Sequence, residues 1–153
     1  MESKISIKGC FRIRTYKAGT KELLRESEVM HNLVVTGASG YGRNLIMRRL
    51  AGDNSFGIAI DGAGIGTGTP VLADSTTALT AEVTDDFLLA DRSLSNNVLI
   101  VSWFITDANL PDGTYTEFRM SIGGRLFTIA AISPSHVKGS GEDTAVDYTL
   151  TLN

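Results

Sequence analysis

The sequence predicts a mainly β protein, a β-sandwich or open barrel of about seven or eight strands with one short helix near residues 40–51. Three observations predict it. Several segments alternate apolar and polar residues with period two. Turn-forming pairs such as Asn96-Asn97 and Gly123-Gly124 punctuate the chain at short intervals. A single stretch, 39–50, sets its apolar residues at helical spacing.

Taken in order, residues 5–16 place Ile5, Ile7, Gly9, Phe11, Ile13 and Thr15 on one side of a strand, with Lys8, Cys10, Arg12 and Arg14 on the other. Lys17-Ala18-Gly19-Thr20 supplies a turn, and 22–29 returns as the second arm of a hairpin covering about 4–30, free to act as an arm toward a neighbour, although 23–28 would also suit a short helix. His31 to Val35 reads as a connection or short strand. The helix follows, with Ser39 as its cap, Leu45, Ile46, Met47 and Leu50 as its apolar face, and Arg43, Arg48 and Arg49 beside them. Residues 56–60 read as a short buried strand entering a glycine-rich loop, and 74–79 as a polar stretch with room for one helical turn. Residues 98–105, rich in β-branched and aromatic side chains, form the strongest strand signal. Segments 114–122 and 125–132 make a hairpin about Gly123-Gly124, and 144–152 alternates as a closing strand. Trp103, Phe104, Phe118, Phe127, Ile129, Val146, Tyr148 and Leu150 are the expected large core members.

Composition sets the outer bounds. At 153 residues the chain suits one domain, 1–153, and a chain of this length buries about 68–70% of its unfolded surface. Sixteen glycines against three prolines point to many tight turns. A net charge of −3 gives no overall pull toward a phosphate backbone, so no nucleic-acid partner is expected. The lone Cys10 excludes an intramolecular disulfide and is expected to be buried. The N-terminal residues lack the apolar core of a signal peptide, and no run approaches the ~20 apolar residues of a membrane span, so a cytoplasmic site of synthesis and no membrane partner are expected.

Candidate chemistry is sparse. Residues 34–44 carry Gly37 and Gly40 in the register of a dinucleotide-binding fingerprint, but Arg43 occupies the place of the third glycine, and no acidic residue closes a second strand downstream. Gly62, Gly64, Gly66 and Gly68 have neither that register nor a Lys-Ser/Thr pair. They are read as a packed loop, 62–69, at an intersubunit contact, the alternative being a plain solvent-exposed turn. His31 and His136 have no second ligand nearby in sequence, and Asp61, Asp85-Asp86 and Glu142-Asp143 lack a calcium-loop pattern, so no metal or other cofactor is expected. No nucleophile elbow or paired acid and base stands out, and no enzymatic activity is expected. Arg12 and Arg14 on the first strand, with Arg43 and Arg48 on the helix, are read either as solvated faces or as ion-pair donors to an acidic neighbouring subunit.

The order of these elements resembles a family of structural proteins of bacteriophages, both tail-fibre-like and head-decoration-like. The resemblance is carried by the hairpin of 9–37 ending in His31-Asn32-Leu33-Val34-Val35, by the glycine-threonine segment of 57–82, by Thr116-Glu117-Phe118-Arg119-Met120 with Gly123-Gly124-Arg125-Leu126-Phe127, and by the ending Asp147-Tyr148-Thr149-Leu150-Thr151-Leu152. It implies a non-enzymatic virion structural module at the tail, neck or collar, assembled in the host cytoplasm. Such a module forms symmetric homo-oligomers or docks on other virion proteins. Without a collagen-like or coiled-coil segment it would be a fitting more than a complete fibre. The alternatives are a capsid decoration protein, and a carbohydrate-binding adhesin that would need an exposed aromatic platform.

Overall fold

The computed structural model describes residues 5–36 and 39–153. Gly37, Lys4 and the residues before it, on which part of the fingerprint and the start of the hairpin fall, lie outside them. The described chain is mainly β, an antiparallel sheet curled into an open barrel, with one helix among the described residues. The strands are β1 (Ile7–Lys17), β2 (Leu23–Glu26), β3 (Met30–Val34), β4 (Ile60–Gly66), β5 (Glu82–Thr84), β6 (Leu88–Ser95), β7 (Val98–Ile105), β8 (Gly113–Ile122), β9 (Arg125–Lys138) and β10 (Glu142–Leu152); helix α1 is Arg43–Leu50. Their order across the sheet is β5-β4-β8-β9-β3-β1-β10-β7-β6, with β2 paired to β1 beside this path. No helix among the described residues is long and apolar enough to cross a membrane.

β1 is the spine of this order. It pairs with β10 from Ile7↔Leu152 to Lys17↔Glu142, and its other edge is taken by β3 and then β2. The N-terminal hairpin therefore forms, with β1 paired on both sides and β2 paired, among the described residues, with β1 alone. Short β3 joins the two halves, since Met30 pairs with Phe11 while Val34 pairs with Thr128. β8 and β9 turn on Gly123 and Gly124, both at positive φ (57° and 77°), the twist that a two-residue hairpin requires. β6 and β7 turn on Asn96-Asn97, with Asn96 at φ 52°.

The alternation in β1 buries Phe11, Ile13 and Thr15. Phe11 stacks on Tyr148 of β10 (centroids 5.1 Å apart), and both reach Phe118 of β8 across the interior (6.0 and 5.8 Å). Trp103 Nε1 donates across the same interior to Met120 Sδ at 3.3 Å. Both halves of the chain build this core, since Ile13, Leu45 and Ile65 join the aromatic residues of the C-terminal half. Phe104 is only half-buried, on the outward face of β7 between the buried Trp103 and Ile105. Ile129 belongs to a smaller cluster with Val35, Leu79 and Leu126. Cys10 is also half-buried, because the alternation that buries Phe11 turns its neighbour outward.

Candidate functional site

The strand registers give the barrel two unlike ends. Lys17, Ile105, Gly113, Lys138 and Glu142 mark one, and Ile7, Ile60, Val98, Ile122, Arg125 and Leu152 mark the other.

The first end is polar and internally satisfied. Lys138 is buried, and its ammonium donates to Asp107 and to Asp112 Oδ1 (2.8 Å). Burial opposes its charge, but the hydrogen bonds to those two carboxylates outweigh it and hold its pKa above the ordinary lysine value. The Lys138 hydrogen bond in turn holds Asp107 low, aided by the backbone amides of Glu142 and Gly141. Arg25 forks onto both oxygens of Glu142 (2.8 and 2.6 Å), which lowers that carboxyl to about 2. Asp143 accepts from the amides of Asp107 (2.8 Å) and Gly19 (3.0 Å). His136, buried beside Tyr115, is 3.2 Å from Thr144 Oγ1; burial, then the Arg25 charge, lowers it to about 4. Among the described residues no group of three or more His, Cys, Asp and Glu side chains could hold a metal.

The glycine segment sits differently from its sequence reading. The expected loop, 62–69, begins as strand: Gly62, Gly64 and Gly66 lie on β4, paired to β8, and only Gly68 lies in the bend beyond it. Gly64 and Gly66 are buried against this chain's own residues. A Cβ on Gly64 would run into Glu82, and one on Gly66 into the Ala81 carbonyl and Glu117. At Gly66 and Gly68 the cause is Glu117, fully buried on β8, whose carboxylate accepts from the amides of Gly68 (3.2 Å), Thr80 (3.0 Å) and Ala81 (2.7 Å) and from the Thr80 hydroxyl (3.0 Å). These two glycines leave room for that carboxylate and for the chain it holds. These contacts are all within one chain.

The second end is apolar and open. The helix predicted from residue 40 starts at Arg43, capped by Gly42 at φ 53°, and Ser39 lies in the preceding turn. Gly42 is needed there because its N–H donates to Leu126 O (2.9 Å) while Val35 O, which accepts from Arg43 N (2.9 Å), fills the space a Cβ would take. With its entry fixed so low, α1 buries Leu45, half-buries Ile46 and leaves Met47 and Leu50 outside. Beside them a groove of about 1060 Å³ opens between α1, residues 58–60, the end of β6 and the ends of β1 and β10. Six large aliphatic side chains are exposed along it: Leu50 (76%), Leu94 (73%), Ile5 (68%), Met47 (61%), Leu152 (48%) and Ile58 (41%). Its charged lining among the described residues is Arg43 and Arg92, with no carboxylate. Contiguous exposed apolar surface of this kind marks a contact site.

Of the arginines singled out in the sequence, only Arg43 lines this groove. Arg12 pairs with Glu26 (2.8 Å), Arg14 with Asp147 (2.6 Å), and Arg48 with Asp53 (2.6 Å) while lying 5.6 Å from the Phe56 ring centroid. Arg12 and Arg14 thus meet at Glu26, which Arg14 also reaches at 3.6 Å, while Arg43 and Arg48 have other surroundings and none of the four is among the nearest neighbours of Gly62, Gly64, Gly66 or Gly68. Sequence reasoning missed Ile58, Leu94 and Leu152 as site residues. The available signal was the helix, where Leu45, Ile46 and Met47 follow one another and so fan across about 200°, more than one side can turn inward. No family description, curated protein or solved structure matches this chain.

Proposed function

We propose that the protein is a non-enzymatic structural subunit that works by seating other protein surfaces against its apolar end. On the resemblance noted in its sequence, we place it in the tailed bacteriophage particle, at the tail, neck or collar. The observation that carries the contact reading is the groove, with its six exposed aliphatic side chains contributed by separate segments of one end of the barrel. A rigid barrel suits such a role, since a preorganised surface loses little entropy on binding. Trp103, 1% exposed in the core, is not available as the aromatic platform an adhesin needs.

Two comparisons test the reading. Mass spectrometry of purified particles should find the wild-type protein. The variant carrying Leu50→Glu and Leu94→Glu should be made and folded but missing from the particles. Absence of the wild-type protein from particles rules out the virion setting, and normal incorporation of the double variant rules out the groove as the contact.

A further inference from the structure

The segment from Gly66 to Glu82 contains a feature that its own fold does not use. Both flanks are fastened: Glu117 holds Gly68, Thr80 and Ala81, Thr116 Oγ1 donates to Gly68 O (2.6 Å), and Leu79 is buried with Val35, Leu126 and Ile129. The middle is fastened too, since the buried Thr76 hydroxyl donates to Val71 O and accepts from Ala73 N (3.3 Å), and Thr76 N donates to Ala73 O (3.0 Å). On this fixed loop Val71 and Leu72 stand 57% and 54% exposed, followed by the exposed Asp74. Two adjacent aliphatic side chains held outward with a carboxylate beside them make a small, preorganised apolar knob of negative charge.

The groove at the open end has the complementary character: aliphatic walls and two cations, Arg43 and Arg92. Knob and groove do not meet within one copy, since none of residues 70–74 is among those that line the groove. We propose that copies of this chain join head to tail, residues 70–74 of one copy entering the apolar groove of the next, with Asp74 facing Arg43 and Arg92. Contacts of this heterologous kind build a closed ring where the rotation between copies closes, with every knob and every groove occupied, and an open filament where it does not. The proposal rests on the contact reading of the groove and supplies its occupant, a second copy of the chain.

The test is sedimentation velocity of the full-length protein at about 100 µM, a concentration that populates contacts of modest affinity. Wild type should run as a discrete species larger than a monomer. Val71→Asp with Leu72→Asp, and separately Leu50→Glu with Leu94→Glu, should each weaken assembly at least tenfold while keeping the wild-type circular dichroism spectrum, and should melt like wild type at a dilution where wild type too is monomeric, since all four side chains are exposed. Mixed together, these two variants should pair one to one and stop, because the first keeps its groove and the second keeps its knob. A monomeric wild type, a knob variant that assembles normally, or a mixture that does not pair overturns the proposal. If wild type is monomeric yet only the groove variant is lost from particles, the head-to-tail contact fails while the groove remains a docking surface for another protein. If the chain assembles head to tail but is missing from particles, the virion setting fails instead.

Discussion

Mild acid should destabilise this protein through one residue, His136. The imidazole is buried at the polar end between Tyr115 and Thr144, with Arg25, Glu142 and Lys138 as its charged neighbours. Burial is the main reason its pKa falls from 6.5 to about 4; Arg25 and Lys138 push the same way and Glu142 opposes them. A lowered histidine stays neutral in the fold and takes up its proton on unfolding. Its contribution is therefore present above about pH 6.5 and is lost as pH falls toward 4. The full gap is worth roughly 3 kcal/mol, of which about 2 kcal/mol is gone by about pH 5. Glu142, lowered from 4.5 to about 2, loses its contribution in a separate window below that of His136. Urea titrations of wild type and His136→Gln between about pH 7 and 5 test this directly. Wild type should lose about 2 kcal/mol, or roughly 4–8 °C in melting temperature for a domain near this size, while the variant stays nearly flat. Parallel pH profiles, or an imidazole that titrates near 6.5 by NMR in the folded protein, would refute the reasoning.

Two further outcomes concern the glycine segment. Glu117→Gln keeps the side chain's shape but sets an amide NH₂ among donors that need an acceptor, so it should cost about 3 kcal/mol in chemical denaturation and raise proteolysis within 67–81; an unchanged midpoint would show that this carboxylate does not hold the loop. Gly66→Ala should cost roughly 3 kcal/mol because the methyl meets the Ala81 carbonyl and Glu117, and a variant that melts like wild type would return Gly66 to the category of free loop positions.

Strand existence was largely legible because it depends on local alternation and turn chemistry, both written in consecutive residues. Residues 98–105 and the Gly123-Gly124 turn appear where the pattern puts them. The misreadings arise where a distant partner decides the local conformation. Glycines at 62, 64 and 66 read as loop by propensity, yet they extend as strand because β8 pairs with them, and the space a Cβ would take is filled by Ser121 at Gly62, by Glu82 and Arg119 at Gly64, and at Gly66 by the Ala81 carbonyl and by Glu117, 51 residues beyond it. Ser39 has the chemistry of a helix cap, but backbone partners on Val35 and Leu126 start the helix at Arg43 instead. The groove was illegible for a related reason. Ile58 read as part of a short buried strand over 56–60, which the structure replaces with exposed chain up to Ile60; Ile5 and Leu152 read as members of the first and last strands, Leu94 carried no reading, and only the barrel's register collects the four at one mouth.

The unlike ends bear on which surface is free to make contacts. At the polar end, Lys138, Asp107, Asp112, Arg25 and Glu142 satisfy one another, and desolvating such ion pairs at an interface offers little net gain. At the apolar end the exposed residues have no comparable internal task. An eight-residue helix is too short to be stable alone, so α1 depends on the contacts that hold it: Leu45 in the core, the amide bonds of Gly42 and Arg43 to Leu126 and Val35, and Arg48 on Asp53. Met47 and Leu50 contribute to none of these, and a polar residue at either position would serve the isolated fold as well or better. Their exposure beside Leu94 and Leu152 costs solvation that the monomer does not recover, and a surface seated in the groove would recover it.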